Sequence, residues 1–160
     1  MKILIVSDTH RAHSTFTEVV EQEKPFDMLI HLGDVEGGEY YIDSLVSCPV
    51  HMVGGNNDYF SQLSREKVIF IGKYRAFITH GHQYFVSMGE DRLKQAARQR
   101  GVDIVMYGHT HVPALRVEDD LVTLNPGSIS YPRQRGRKPS YIVMNILPDG
   151  KAEYEIKYVE

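Results

Sequence analysis

The first apolar run and the polar residues after it constrain the fold more than any other stretch. Ile3 to Val6 is unbroken, mostly β-branched and without polar alternation. Such a run is typical of a central strand of an α/β sheet whose two faces are both covered. Asp8 and His10 follow it at once. Open α/β sheets form their sites at the carboxyl ends of strands, so this stretch predicts a metal-binding or catalytic site.

The bulk composition excludes several classes of protein. A length of 160 residues predicts a single domain, 1–160, large enough for a full core. The net charge of −3 argues against a general nucleic-acid surface. One cysteine, Cys48, can form neither an internal disulfide nor a cysteine zinc site, which favours a reducing cytoplasm. No apolar segment approaches the roughly 18 residues that span a bilayer, so we expect no membrane association.

Strand-like runs ending in polar clusters recur along the chain. His80 and His82 follow one such run, and His109 and His111 follow another. The pattern predicts strands at 28–32, 49–53, 68–71, 74–79, 103–107, 115–117, 121–124, 141–147 and 152–159. It predicts helices at 14–23, opened by a capping box at 15–18, at 39–46, and at 90–100 with Gly101 at C′.

Five blocks, in this order, resemble the binuclear metallophosphoesterases, also called calcineurin-like phosphoesterases. They are Asp8–His10, Gly33-Asp34, Gly55-Asn56, His80 and Gly108–His111. Asn125–Ser128 and Pro132-Arg133 extend the resemblance toward the small bacterial and archaeal phosphodiesterases. The resemblance implies an α/β fold in which two mixed β-sheets pack as a sandwich flanked by helices. A lone Asp after a strand is commonly a turn or an N-cap, so the joint occurrence of the blocks carries the interpretation.

The resemblance also implies a ligand set for two divalent metal ions. Asp8, His10 and His111 would hold the first ion, Asn56, His80 and His109 the second, and Asp34 would bridge both. This nitrogen and oxygen set suits Mn²⁺, our first expectation, and also Ni²⁺, Zn²⁺ or Fe. Such a pair would share a water, lower its pKa and supply a metal-bridging hydroxide as the nucleophile. The cations would also offset charge on the phosphoryl oxygens.

One position departs from the family pattern. Many members carry a histidine after the ligand asparagine, where it can protonate the leaving oxygen, but this chain has Asn57 there. A side-chain amide cannot act as an acid at neutral pH. We therefore expect either a dependence on good leaving groups or proton donation by His82, Asp58 or a metal-bound water. His31 is predicted to pack or to support a ligand, and His13 and His51 to be structural or exposed.

Basic residues crowd the loop that holds Arg133, Arg135, Arg137 and Lys138. The loop is either a solvated, flexible segment or one from which Arg133 reaches a substrate phosphate, for which a guanidinium is geometrically suited.

The leading functional prediction is a metal-dependent phosphodiesterase that hydrolyses small phosphodiesters or nucleotides. One alternative is a catalytically silent, protein-binding scaffold on the same fold, like the retromer subunit. Another is a nuclease, which the acidic charge makes less favourable. An oligomer that pairs through the tyrosine-rich C-terminal strand is left open.

Overall fold

Two five-stranded sheets form the framework of the protein. The computed structural model describes residues 1–160. In chain order its ten strands are β1 Lys2–Val6, β2 Met28–His31, β3 Val50–Met52, β4 Glu66–Ile71, β5 Tyr74–Thr79, β6 Ile104–Met106, β7 Ala114–Val117, β8 Val122–Asn125, β9 Ser140–Ile146 and β10 Ala152–Tyr158.

Both sheets are mixed, as the resemblance implied. The first sheet has the order β10-β9-β1-β2-β3, and β1, β2 and β3 are parallel. The second has the order β4-β5-β6-β8-β7, with β5, β6 and β8 parallel. The prediction that Ile3–Val6 lies in a central strand is confirmed, because β1 is the middle strand of its sheet and these residues are fully buried.

Both faces of each sheet carry buried side chains. Ile3 and Ile5 of β1 pack with Ile78 of β5 and Ile104 of β6 in the cluster between the sheets. Because side chains alternate along a strand, Leu4 and Val6 point to the other face. Helices cover both outer faces, so the architecture is a sandwich flanked by helices.

The three α-helices are short, and two 3₁₀ turns, His82–Tyr84 and Val86–Met88, follow β5. The α-helices are α1 Ser14–Glu23, α2 Glu39–Ser44 and α3 Asp91–Gln99. Phe16, Val19 and Val20 of α1 pack on the first sheet, whereas Leu93 and Ala97 of α3 pack on the second. No helix has the length and apolarity needed to cross a membrane.

The predicted capping box at 15–18 is wrong. The helix α1 has the predicted bounds, but its N-cap is His13, without a side-chain cap, and Thr15 lies inside its first turn. The Thr17 hydroxyl instead donates to the His13 carbonyl oxygen at 2.8 Å. The end of α3 is as predicted, because Gly101 follows the helix with a φ of +62°. The predicted hairpins around residues 72–73, 119–120 and 148–150 are confirmed.

Candidate metal centre

The predicted ligands lie in the loops that follow five parallel strands. Asp8 and His10 follow β1, Asp34 follows β2, and Asn56 follows β3. In the second sheet, His80 follows β5, while His109 and His111 follow β6. Because the carboxyl ends of the parallel strands meet at one edge of the sandwich, residues 101 positions apart come into contact there.

One group of ligand atoms collects around Asp8. The Oδ1 atom of Asp8 lies 3.2 Å from Nε2 of His111 and 3.6 Å from Nε2 of His10. The Nε2 atom of His10 also lies 3.6 Å from Oδ2 of Asp34. Asp8, His10 and His111 thus have the proximity needed to hold one metal ion. This is the set that the resemblance implies for the first ion, with Asp34 beside it.

A second group is formed by Asp8, Asp34 and His80. Nε2 of His80 lies 3.4 Å from Oδ2 of Asp34 and 3.8 Å from Oδ1 of Asp8. The other two ligands predicted for the second ion, Asn56 and His109, contact each other, with Asn56 Oδ1 lying 3.1 Å from His109 Nδ1. The His109 and His80 ring centroids are 5.1 Å apart. The structure therefore brings all seven predicted ligands to one place, and it puts Asp8, predicted for the first ion, within 3.8 Å of His80, predicted for the second.

Hydrogen bonds on the outer nitrogens leave Nε2 of three histidines facing the cluster. Nδ1 of His10 donates to Glu36, while the Nδ1 atoms of His80 and His111 donate to backbone carbonyl oxygens at 2.7 Å. In the neutral form, each ring then has its lone pair on Nε2. Nε2 of His10 and Nε2 of His111 are only 3.1 Å apart. Two lone pairs at this distance repel each other unless a proton or a cation lies between them.

Two buried atoms of the cluster have no hydrogen-bond partner. These are Oδ1 of Asp8 and Nε2 of His80, both on fully buried side chains. Buried polar atoms are normally paired because an unpaired one costs free energy. Two unpaired ligand atoms that face each other across 3.8 Å are suited to a divalent cation. The residues present therefore fit the metal ions that the resemblance implies.

Both carboxylates of the cluster are held in the charged form. Burial alone would raise the pKa of Asp8, but the charge of His80 and contacts with His10 and His111 hold it well below its ordinary value. Burial would also raise the pKa of Asp34, yet the close contact with His80 and the charge of that ring lower it to about 2. Two buried anions at neutral pH require compensating positive charge.

Glu36 is a site residue that the sequence analysis missed. Its Oε2 atom accepts the Nδ1 proton of His10 at 2.8 Å, and this contact sets the tautomer and orientation of the imidazole. The available signal was an acidic residue two positions after Asp34, in the same loop. That signal is weak without coordinates, because the pairing joins loops from two different strands.

Five of the predicted ligands adopt a left-handed backbone. The φ angles of Asp8, His10, Asp34, His109 and His111 lie between +47° and +72°. This region is uncommon for residues other than glycine, and such strain persists only where the surroundings enforce it. Its concentration at one site favours a functional role for these side chains.

The Asp58 carboxylate links the loops of the site through hydrogen bonds. Its Oδ2 atom accepts backbone N–H groups of Asp34 at 2.8 Å and Gly55 at 2.7 Å, and its Oδ1 atom accepts that of Glu36 at 2.6 Å. The Val35 N–H also donates to Oδ2, at 3.3 Å. The predicted role of Asp58 as a proton donor therefore needs correction, because both oxygens of this buried carboxyl serve as acceptors.

Asn57 and His82 border the cluster. The Asn57 side-chain amide donates to Oδ2 of Asp34, and its backbone N–H donates to Oδ1, both at 2.9 Å. The His82 ring is tilted by 56° against the His80 ring, with ring centroids 5.5 Å apart. Burial, followed by the charge of His80, lowers the pKa of His82 to about 4. A neutral His82 is a poor acid at neutral pH, which weakens its predicted role as a proton donor.

Arg133 lies at the rim of the site. Its backbone N–H donates to the His111 carbonyl oxygen at 3.0 Å, and its side chain lines a cleft of about 760 Å³ with Arg137, His10 and His111. Lys138, from the same basic loop, instead pairs with Glu160 at 3.0 Å.

The remaining histidines lie outside the cluster. His31 is fully buried, accepts the Gly33 backbone N–H at 3.1 Å and donates to the Thr9 hydroxyl at 3.1 Å. It therefore packs beneath the ligand loops, as predicted. His13 and His51 are partly buried and touch none of the predicted ligands.

Comparison with known proteins shows the family. Residues 1–148 match the calcineurin-like phosphoesterase superfamily domain. A probable metallophosphoesterase of Methanocaldococcus jannaschii is 32% identical over 100% of this chain and 82% of its own length. A phosphodiesterase of the same organism is 29% identical over 96% of both chains.

Solved structures share the fold along the whole chain. A predicted phosphoesterase from Streptococcus pneumoniae aligns with a TM-score of 0.78, at 25% identity, over 98% of this chain and 97% of its own. Wild-type Vps29 of Entamoeba histolytica, solved with Zn²⁺, aligns with a TM-score of 0.78, at 26% identity, over 99% of both chains. The fold thus occurs both in phosphoesterases and in proteins named for vacuolar sorting.

Proposed function

The chain belongs to the calcineurin-like phosphoesterase superfamily, and we propose that this metal-dependent phosphoesterase hydrolyses small phosphodiesters or nucleotides. The single observation that carries the proposal is the pair of acceptor nitrogens, Nε2 of His10 and Nε2 of His111, 3.1 Å apart beside the buried Asp8 carboxylate. Only a cation or a proton makes this arrangement favourable. Relatives named as phosphodiesterases support the diester substrate.

Two divalent ions are the proposed cofactors, with Mn²⁺ as the first candidate and Ni²⁺, Zn²⁺ or Fe as alternatives. Asp8, His10 and His111 would hold one ion; Asn56, His80 and His109 would hold the other; Asp34 would lie between them. When bound, the ions would activate water as a nucleophile and offset charge on the phosphoryl oxygens.

The chain itself orients and holds the ligands. Glu36 keeps Nε2 of His10 pointed into the cluster, and Asp58 ties the loops that carry Asp34 and Asn56 to each other. Asn57 donates to Oδ2 of Asp34 and so restricts the rotation of that carboxylate. The burial of Asp8 and His80 excludes bulk water from the inner side of the cluster.

No side chain at the site is a strong proton donor for the leaving group. Asn57 is an amide, the pKa of His82 is lowered to about 4, and the Asp58 carboxyl accepts backbone N–H groups. We therefore expect hydrolysis to depend on leaving-group quality. A series of aryl phosphodiesters of rising leaving-group pKa should show steadily falling rates, and a flat profile would contradict the expectation.

Arg133 is the proposed contact for a substrate phosphate oxygen. Its loop is attached to the site through the His111 carbonyl oxygen, and its side chain lines the adjoining cleft. Arg133→Ala should raise the Michaelis constant for a diester while leaving metal affinity unchanged. Arg135→Ala, from the same basic loop but absent from the residues that line the cleft, is the matched control. An unchanged Michaelis constant in Arg133→Ala would remove this contact.

The test of function compares a diester with a monoester. Protein stripped with a chelator is assayed on bis(p-nitrophenyl) phosphate and p-nitrophenyl phosphate after addition of Mn²⁺, Ni²⁺, Zn²⁺ or Mg²⁺. Turnover of the diester above the monoester with at least one metal supports a phosphodiesterase. No turnover with any metal would favour the scaffold alternative, since Vps29 proteins have the same fold.

The single cysteine supports the proposed location in a reducing cytoplasm.

A further inference from the structure

Two neighbouring aromatic side chains stand in solvent beside the cluster. Phe60 is fully exposed and Tyr59 is 75% exposed. Both follow Asp58 directly in the chain, so their backbone continues from the residue that accepts four backbone N–H groups. Exposed aromatics occur singly on many proteins, but an adjacent pair at the mouth of a site has no packing reason.

The pair shares a cleft with the predicted metal centre. Tyr59 and Phe60 line a cavity of about 490 Å³ whose wall also includes His10, Glu36 and Asn57. His10 and Glu36 line the larger cleft of Arg133 as well, so the two clefts meet at these residues. A phosphodiester carries two ester substituents. With its phosphorus at the cluster, one substituent can enter each cleft.

The two clefts differ in chemistry. Arg133 and Arg137 line the first cleft, which suits a negatively charged or strongly polar substituent. Tyr59 and Phe60 give the second cleft two adjacent aromatic side chains and Arg11 as its one arginine, whereas the first cleft has two arginines and Tyr131 as its one tyrosine. A ring on a fixed loop can stack a second ring with little loss of conformational freedom. Stacking on such a ring tolerates different bases, because every base has a π-face.

We propose that Tyr59 and Phe60 form an aromatic subsite, and that the substrate is a phosphodiester with a nucleobase or another aromatic ring in one substituent. The inference deepens the proposed function and rests on it for the position of the phosphorus. It narrows the substrate class to diesters of nucleosides or of similar aromatic alcohols.

The experiment compares two phosphoribosyl ligands, one with a nucleobase and one with a hydroxyl group in its place. Binding of adenosine 5′-monophosphate and of ribose 5-phosphate to the Mn²⁺-loaded protein is measured by calorimetry. The wild type should bind the nucleotide about 5- to 100-fold more tightly, the range that base–aromatic stacking supplies. In the double variant Tyr59→Ala/Phe60→Ala, this ratio should fall to about one. The affinity for ribose 5-phosphate should be unchanged.

Phe70→Ala is the matched control. Phe70 is an exposed phenylalanine on β4 that does not line either cleft, and its removal should leave the ratio intact. A wild-type ratio near one, or a high ratio that survives the double substitution, overturns the subsite. Equal loss of both ligands in the double variant also overturns it, since the two side chains would then support the metal centre instead of the base.

Failure of the proposed function is a separate result. If the wild type binds the nucleotide preferentially but does not hydrolyse bis(p-nitrophenyl) phosphate, the subsite proposal stands and the hydrolase proposal fails. If the wild type hydrolyses the diester but shows no preference for the base, the hydrolase proposal stands and the subsite proposal fails.

Discussion

The Nδ1 atom of His10 donates a hydrogen bond of 2.8 Å to Oε2 of Glu36. This contact connects the loop after β1 with the loop after β2 and leaves Nε2 of His10 facing Asp8 and His111. A carboxylate on the outer nitrogen makes the inner nitrogen a better ligand and keeps the ring from turning. Glu36 is therefore a positioning residue for the predicted first metal.

We expect Glu36→Gln to weaken binding of the first metal about 10- to 100-fold, because the hydrogen bond can remain but its negative charge is lost. Calorimetric titration of stripped protein with Mn²⁺ measures the change. Glu18→Gln, an exposed change on α1 away from both clefts, is the control and should bind both ions normally. Equal affinities in Glu36→Gln and wild type would show that Glu36 does not act through His10.

Gly55 permits the closest approach between the loops after β2 and β3. A Cβ atom at Gly55 would lie 2.5 Å from the backbone nitrogen of Asp34, which cannot move aside cheaply. We expect Gly55→Ala to lower the free energy of unfolding by about 1–3 kcal/mol and to weaken metal binding. At Gly54 the nearest atom is the Leu63 carbonyl oxygen at 3.4 Å, an ordinary contact.

Gly54→Ala is therefore the matched control, and it should retain both stability and metal affinity. Chemical denaturation measures the free energy of unfolding of the two variants, and metal titration measures their metal affinity. Two variants that behave alike would show that the approach to Asp34 is not what requires glycine.

Asp58→Ala tests the corrected role of this carboxylate. Removal of the side chain leaves four backbone N–H groups without their acceptor. We expect a loss of about 3 kcal/mol or more in the free energy of unfolding. Asp43→Ala, at an exposed position of α2, should change it by less than about 0.5 kcal/mol. A stable Asp58→Ala protein with a strongly reduced kcat would instead restore the proton-donor role.

A buried carboxylate far from the cluster predicts a pH effect on stability. Burial alone would raise the pKa of Glu23, but hydrogen bonds from Lys157, Tyr141 and Lys2 outweigh burial and lower the pKa from 4.5 to about 2. Because the folded pKa is the lower one, this stabilisation is fully present above about pH 4.5 and is lost as the pH falls toward 2. It amounts to at most about 3 kcal/mol.

Unfolding curves of wild type and Glu23→Gln between pH 7 and pH 2 measure this contribution. The difference between the two proteins should shrink as the pH falls through this window. A difference that stays constant with pH would contradict the lowered pKa of Glu23.

Local patterns were sufficient to predict the framework. The buried run Ile3–Val6 predicted a central strand because water on either face would have required polar alternation. The hairpin around residues 72–73 was predictable because Gly72 takes a positive φ between two apolar strands. The predicted ligands come together because each follows a parallel strand, and parallel strands end at one edge of a sheet.

The supporting contacts could not be predicted, because they join loops that are distant in the chain. In the sequence Asp58 resembles a proton donor. In the structure, backbone N–H groups of the loop after β2 donate to both of its carboxylate oxygens. Glu36 has no distinguishing neighbour in the sequence, and its role depends on a contact 26 residues away. The capping box failed because Thr15 lies inside the first turn of α1 and His13 is the N-cap.

The metal content of the protein is the most direct test of the binuclear centre. Chelator-stripped protein is equilibrated with Mn²⁺, freed of unbound ions and analysed for metal per chain, with Asp8→Ala measured in parallel. Two ions per wild-type chain and a clear loss in Asp8→Ala are expected, because Oδ1 of Asp8 lies between the histidines of both groups. A wild-type content no higher than that of Asp8→Ala, or no bound metal at all, would contradict the centre and the hydrolase with it.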